Sequence, residues 1–366
     1  MKIAFLGDIA LIGKYDLSQN PFAKERLQII ADKLSEFDYV VANLETPLTR
    51  KTKTMVCKSM HLKTPPENVE LLKFLHVNAV SLSNNHLNDY GRQGLNDTIN
   101  TLQQNGIEWF GANSKQLIKD IKGEKVCLSG FCCYSTNGTG YLDNTSKYGV
   151  NTLTYDNVIK QLETDKKNNV FSIMSFHWGD EHTDYPKYEH ICLAELIAKQ
   201  KDALIVGHHP HIIQGVQKII HSLVAYSLGN FLFDDMVSIN GNFSLKQNLN
   251  NKMSFILEVD IVNASINSYQ YYGFRDELDK IELFDINDKL NQISGKLANI
   301  NDIAAYEAIR KSQINKVILE KFGKHDLKWF SSRLNYYSVG AYISGKLRKK
   351  KYIKEATKFL SRKIQM

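Results

Sequence analysis

The sequence predicts an α/β fold whose sheets present their functional groups along one edge, and three observations lead there. Short apolar runs of strand length recur through the earlier part of the chain. Helix-like segments alternate with those runs. At the ends of six of these runs stand polar residues of the kinds that hold metal ions.

The runs are residues 3–6, 39–42, 79–82, 126–131, 170–176, 203–206 and 223–226. They are rich in branched and aromatic residues and too short for buried helices, so strands are predicted. Residues 93–104 predict a helix, with Leu95, Ile99 and Leu102 on one face and Gly106 as its stop. Residues 191–199 read similarly. Residues 253–262 and 265–274 predict adjoining strands that turn at Asn263 and Ala264 and close a second sheet. The Asn-rich stretch 240–251 reads as an exposed loop. All six prolines precede residue 211, and the chain beyond about 275 reads as long polar helices. The expected division is a domain over 1–275 and a helical C-terminal region over 276–366.

With 366 residues, 43% hydrophobic and 23% charged, the composition builds a real core and excludes a disordered, collagen-like or membrane-embedded chain. The five cysteines form no CxxC pair and read as structural thiols of a reducing compartment. Asp8 interrupts the apolar start and no small-residue cleavage site follows, so no signal peptide is expected. Nowhere do ~18 apolar residues run together, so no spanning helix is expected and the reading is cytoplasmic, at most at the inner face of a membrane.

The net charge of +7 has an address. Residues 346–366 hold nine basic residues and one acid, leaving 37 basic against 38 acidic residues elsewhere. Ile353, Ala356, Leu360 and Ile364 share one helical face there. A basic amphipathic helix of this kind suits peripheral membrane contact or a partner, with a helix end packed on its own domain as the plainer reading. No motif accompanies the charge that would indicate specific nucleic-acid binding.

Six of the seven runs, all but 126–131, exit onto Gly7-Asp8, Asn43-Leu44-Glu45, Ser83-Asn84-Asn85-His86, His177-Trp178-Gly179-Asp180, Gly207-His208-His209-Pro210-His211 and Ser227-Leu228-Gly229-Asn230. Ligands of open α/β sheets bind beyond the carboxyl ends of strands, so six such exits imply one site. Asp, Glu, Asn and His together suit Zn, Mn or Fe, whereas Mg or Ca sites are mostly oxygen. In an extended segment His209 and His211 leave on the same side, with His208 pointing away. Asp8 and Glu45 could also be the carboxylate pair of a glycosidase, but the surrounding histidines favour metal binding.

In their order, Gly7-Asp8, Asn43-Leu44-Glu45, Asn84 to His86 with Asp89 to Gly91, His177 to Gly179, His209 to His211 and Tyr226 to Asp234 resemble the CapA family of capsule and poly-gamma-glutamate synthesis proteins. That family is similar to the calcineurin-like metallophosphoesterases. The resemblance covers roughly residues 2–262 and implies a four-layer α/β/β/α metallophosphoesterase-like sandwich, followed here by the C-terminal helical region. It implies one or two divalent ions, with Asp8 and His211 on one, Asn85, His177 and His209 on the other, and Glu45 bridging. His86 would be the general acid or phosphate contact, oriented by Asp89. Ala10 stands where the usual motif has a His, and Asn43-Leu44-Glu45 replaces the usual second carboxylate motif.

Asn43, Asn84, Trp178, His208 and Asn230 are expected to touch substrate or to support the ligands. For Trp178 a packed aromatic is the competing reading, for Asn230 a tight turn. His61, His76, His182, His190, His221 and His325 read as structural or surface residues. The expected function is metal-dependent hydrolysis of a phosphorylated or anionic envelope precursor. The alternative is a non-catalytic accessory subunit that binds an anionic polymer or the synthesis machinery.

Overall fold

The computed structural model describes residues 1–54, 56–142, 146–239, 241, 244–277, 280–298, 300–323, 331 and 334–364. Its strands are β1 (Lys2–Ile9), β2 (Tyr39–Leu44), β3 (Ala79–Ser81), β4 (Glu108–Phe110), β5 (Leu117–Ile121), β6 (Glu124–Cys132), β7 (Phe171–His177), β8 (Ala203–His208), β9 (Val216–Ile219), β10 (Ser222–Ala225), β11 (Asn230–Leu232), β12 (Met236–Val237), β13 (Ser244–Leu245), β14 (Met253–Val262), β15 (Ser265–Asp276) and β16 (Ile281–Phe284). Its helices are α1 (Ala23–Leu34), α2 (Val69–Phe74), α3 (Gly91–Gln104), α4 (Tyr155–Lys167), α5 (Tyr188–Gln200), α6 (Asn287–Gly295), α7 (Ile303–Phe322) and α8 (Tyr336–Ile364). His325 lies outside the described residues.

One sheet is ordered β16, β15, β14, β1, β2, β3, β4, with β11 also paired to β1. The other is ordered β5, β6, β7, β8, β10, β9. Ile3, Phe5 and Val41 of the first sheet meet Leu128, Ile173 and Leu204 of the second in the central apolar layer. The outer face of the first sheet is covered by Leu27 and Ile30 of α1, Leu72 of α2 and Leu95 of α3. The outer face of the second is covered by Val158 and Leu162 of α4 and Ile191 and Ala194 of α5. These layers are the α/β/β/α sandwich. Sheets buried on both faces explain why the strands read as continuous apolar runs rather than alternating ones.

The local rules act where expected. Leu95, Ile99 and Leu102 of α3 are buried, and Gly106, at φ 71°, ends the helix. Asn263 and Ala264, at φ 51° and 54°, make the tight turn between β14 and β15. That hairpin does not close a second sheet, however: β14 runs antiparallel to β1 and extends the first. The 275/276 boundary also falls inside β15, which pairs onward with β16. Beyond it, Leu290 and Ile293 of α6 enter the central layer. Composition marks where prolines stop, but the core continues.

Helix α8 lies on α4 and α5, burying Ala356 and Phe359. Of the apolar face drawn from the sequence, Ile353 is 54% exposed and Leu360 37%. The docked face is rotated, and the side chain of Ile364 lies outside the described residues. Among the described residues no helix is long and apolar enough to cross a membrane.

Candidate metal centre

Strands β1, β2 and β3 are mutually parallel, as are β6, β7 and β8, so their carboxyl ends gather on one edge. Register then sets neighbours: Asp8 lies opposite Asn43 and Asn230, and His177 lies opposite His208. Gly7 matters for closeness. A Cβ there would stand 2.1 Å from the Gly229 carbonyl oxygen, so only glycine lets β1 meet the turn that carries Asn230.

Asp8 and Glu45 are fully buried. Asn43 Nδ2 donates to Asp8 Oδ1 at 2.9 Å, His208 Nδ1 lies 3.0 Å from the same oxygen, and the His209 backbone N–H donates to Oδ2 at 3.1 Å. Burial would push the Asp8 carboxyl up, but His208, His211 and Asn43 hold it below the usual carboxylate range. Glu45 has no such support. Both its oxygens are buried without a hydrogen-bond partner, as is His209 Nδ1. Burial and the Asp8 charge push Glu45 well above the usual range. An unpaired buried carboxylate is costly, and a cation among these groups removes that cost.

The donors that a cation would meet are close together. Asp8, Glu45 and His211 each offer an atom within 4.8 Å of the others, and so do Glu181, His209 and His211. His177 Nε2 lies 2.8 Å from Asn85 Oδ1 and 3.8 Å from Glu45 Oε1. The His177 and His209 ring centres are 4.8 Å apart. Burial lowers both histidines, His209 to about 4, so both are neutral at pH 7, the form that binds metal. Nitrogen and oxygen donors in this mixture fit a divalent transition ion.

His86 sits beside this group, its Nε2 4.0 Å from Glu45 Oε2. Its Nδ1 is 2.6 Å from Asp89 Oδ2 and 3.2 Å from Lys58 Nζ. The shorter contact makes Nδ1–H the donor to the Asp89 carboxylate and leaves Nε2 facing the cluster. Lys58, 4% exposed, donates to Asp89 Oδ1 at 2.7 Å and to the Asn85 carbonyl at 2.8 Å. Burial and the Lys58 charge lower His86 to about 4.

The supporting residues divide. Asn230 Oδ1 lies 2.9 Å from His211 Nδ1 and fixes that ring. Asn84 accepts from the backbone N–H groups of His86 and Leu87 and donates to the Leu44 carbonyl, so it shapes the loop and offers the cavity nothing. Trp178 is turned away: it stacks on His190 and donates to the Tyr226 carbonyl in the outer layer. His208 is turned toward the site, contrary to strand alternation, which fails because β8 ends there. His209 and His211 take φ values of 95° and 58°, so local turns rather than extended backbone aim their rings. Ala10 is buried with Leu62 and Phe233, which gives an apolar wall where the usual motif has a His.

Several residues at the site escape a reading of strand exits. Glu181 is four residues past His177 in the same exit loop, which is the signal that could have found it. His182 is no bystander, with its ring 6.2 Å from that of His211. Within the stretch expected to be an exposed loop, Asn251 is buried and donates to the His211 carbonyl at 2.9 Å. Lys58 lies in a segment without regular structure and had no periodic signal.

The sequence model described as bacterial capsule synthesis protein PGA_cap matches residues 2–235. The chain is 29% identical over 244 residues to the PGA biosynthesis protein CapA of Bacillus subtilis (strain 168), covering 64% of this chain and 63% of that protein. It is 30% identical over 220 residues to the capsule biosynthesis protein CapA of Bacillus anthracis, covering 56% and 53%. A probable polyglutamine synthesis accessory protein of Mycobacterium tuberculosis (strain H37Rv) is 24% identical over 257 residues, covering 65% and 66%. The match thus spans between about half and two thirds of each relative's length.

Proposed function

The chain belongs to the bacterial capsule synthesis protein PGA_cap family, and from that premise we propose that it is a divalent-metal-dependent phosphoester hydrolase acting in synthesis of capsule or another envelope polymer. The observation that carries the reading is the buried meeting of Asp8, Glu45, Asn85, His177, His209 and His211, with both Glu45 oxygens lacking a partner. Asp8, Glu45 and His211 would hold one ion, and Asn85, His177 and His209, with Glu45 shared, a second. Glu181 is a further donor to the His209 and His211 side. A divalent ion in such a set supplies Lewis acidity toward phosphoryl oxygens and makes water a stronger nucleophile at neutral pH.

The chain supplies position and proton handling. Asp89 holds the His86 ring through Nδ1, which leaves Nε2 on the Glu45 side of the cluster, from where it would donate to a leaving oxygen. An anionic substrate beside Nε2 favours the protonated ring and raises its low pKa, the direction a proton donor needs. Asn230 and the Asp8–His208 contact keep the donors from turning.

A second reading is a metal-holding accessory subunit without turnover. The apolar wall at Ala10 favours it, and one relative carries "accessory" in its name. A panel of phosphomonoesters and phosphodiesters with Mn, Zn and Fe separates the two. Turnover abolished by His209→Ala supports hydrolysis, whereas retained metal with no turnover on any ester supports the accessory role.

A further inference from the structure

The cluster opens into a cavity of about 180 Å³, and part of its lining comes from α8, outside the family-matched residues. Asn85, His86, Glu181 and His211 line it together with Ala341 and Arg348 of α8. The helix is seated closely. A Cβ at Gly340 would stand 2.4 Å from Cys57 Sγ, and Tyr337 makes an edge contact with the His61 ring at 5.4 Å.

Arg348 differs from its basic neighbours. Lys346, Lys349, Lys350 and Lys351 are exposed, and the half-buried Lys358 pairs with Asp156 and Glu355. Arg348 is half-buried, yet its hydrogen bonds go to neutral partners, Ser344 Oγ at 3.0 Å and Asn137 Oδ1 at 3.1 Å. Among the described residues it makes no ion pair, and burial lowers its pKa. Lys58, the other cation lining the cavity, is already committed to Asp89. A desolvated guanidinium without a carboxylate is costly unless an anion arrives. Its planar fork matches a carboxylate or a phosphoryl group.

We propose that Arg348 receives a second anionic group of the ligand, so that the pocket selects an elongated dianion with one end at the histidine and carboxylate cluster and the other at α8. The inference rests on the reading that the cluster takes a phosphorylated ligand. It gives the C-terminal helix a part in specificity.

The test is calorimetric binding to the manganese-loaded full chain, using ethylphosphonate, phosphonopropionate and ethylenediphosphonate as probes. The first has one anionic group, and the others add a carboxylate or a phosphonate at the far end. The wild type is expected to prefer one or both dianions. Arg348→Gln should reduce that preference by on the order of tenfold, and Arg348→Lys by less, because it keeps the charge and loses the fork. Whichever dianion loses more identifies the recognised end as carboxylate or phosphoryl. The preference is a ratio read within each variant, so partial misfolding does not imitate the effect. A wild type without preference, or a preference untouched in Arg348→Gln, overturns the inference. Arg348-dependent binding with no ester turnover would leave it standing and remove only the hydrolytic reading; no binding of any probe by the wild type overturns both.

Discussion

His177 Nε2 and Asn85 Oδ1 lie 2.8 Å apart although 92 residues separate them in the chain. One ends a strand of the second sheet and the other follows a strand of the first, so this contact, like that of Asp8 with His208, joins the two sheets at the site. If both atoms are ligands, His177→Ala should weaken Mn²⁺ binding by more than the ~10–100-fold typical of losing a hydrogen bond behind a ligand. Calorimetric titration with Mn²⁺ checks this, and an unchanged affinity would remove His177 from the set.

Lys58 and Asp89 form a buried pair with side chains 5% and 0% exposed. Replacing the lysine with methionine strands a buried carboxylate beside His86. The expected cost is about 3–5 kcal/mol of stability, because breaking one side of a buried pair leaves an uncompensated charge. Urea unfolding of Lys58→Met against wild type measures it, and a change below ~1 kcal/mol would place the pair in surface-like surroundings.

Arg310 of α7 ties that helix to the exit loop of β7 by pairing with Asp180 and pairs within α7 with Glu307, while Lys187 also reaches Asp180 at 2.9 Å. Burial would raise the Asp180 carboxyl, but Lys187 and Arg310 hold it down to about 2, below the ordinary 3.8. A depressed carboxyl contributes stability that is full above its unfolded value and lost as the pH falls through its folded one. Arg310→Ala should therefore cost about 3 kcal/mol near neutrality and less in acid. Unfolding at ~pH 6 and ~pH 3 should show the gap between variant and wild type narrowing. A gap that widens would show that Asp180 is not the group concerned.

Tyr342, Ile343 and Leu347 are exposed on α8 next to Lys346 and Lys350. We propose that this outward face rests on an anionic membrane surface. Deleting the helix would uncover Phe359 and the outer core, so charge reversal is the cleaner probe. Converting Lys346, Lys349 and Lys350 to Glu should lower partitioning onto anionic vesicles by at least ~100-fold, at about 1 kcal/mol per lysine. Equal flotation of variant and wild type would discard membrane contact.

The layers and the strand exits were legible because both follow local rules. Strands buried on two faces read as apolar runs, and functional groups in parallel sheets collect at carboxyl ends. What escaped depends on chain reversal and packing. His208 faces Asp8 because β8 stops before the alternation reaches His209, whose φ of 95° no periodicity anticipates. Lys58 and Asn251 reach the site from segments without regular periodicity. Arg348 looked like one more charge in a basic tail; only the docking of α8 turns it inward.

The central claim is that these residues hold metal, and elemental analysis of the purified full chain after exposure to Mn, Zn and Fe tests it most directly. The account predicts roughly one to two divalent ions per wild-type chain, lost in both Asp8→Asn and His209→Ala. Wild-type metal at background, or a wild-type content that survives unchanged in both variants, would contradict it.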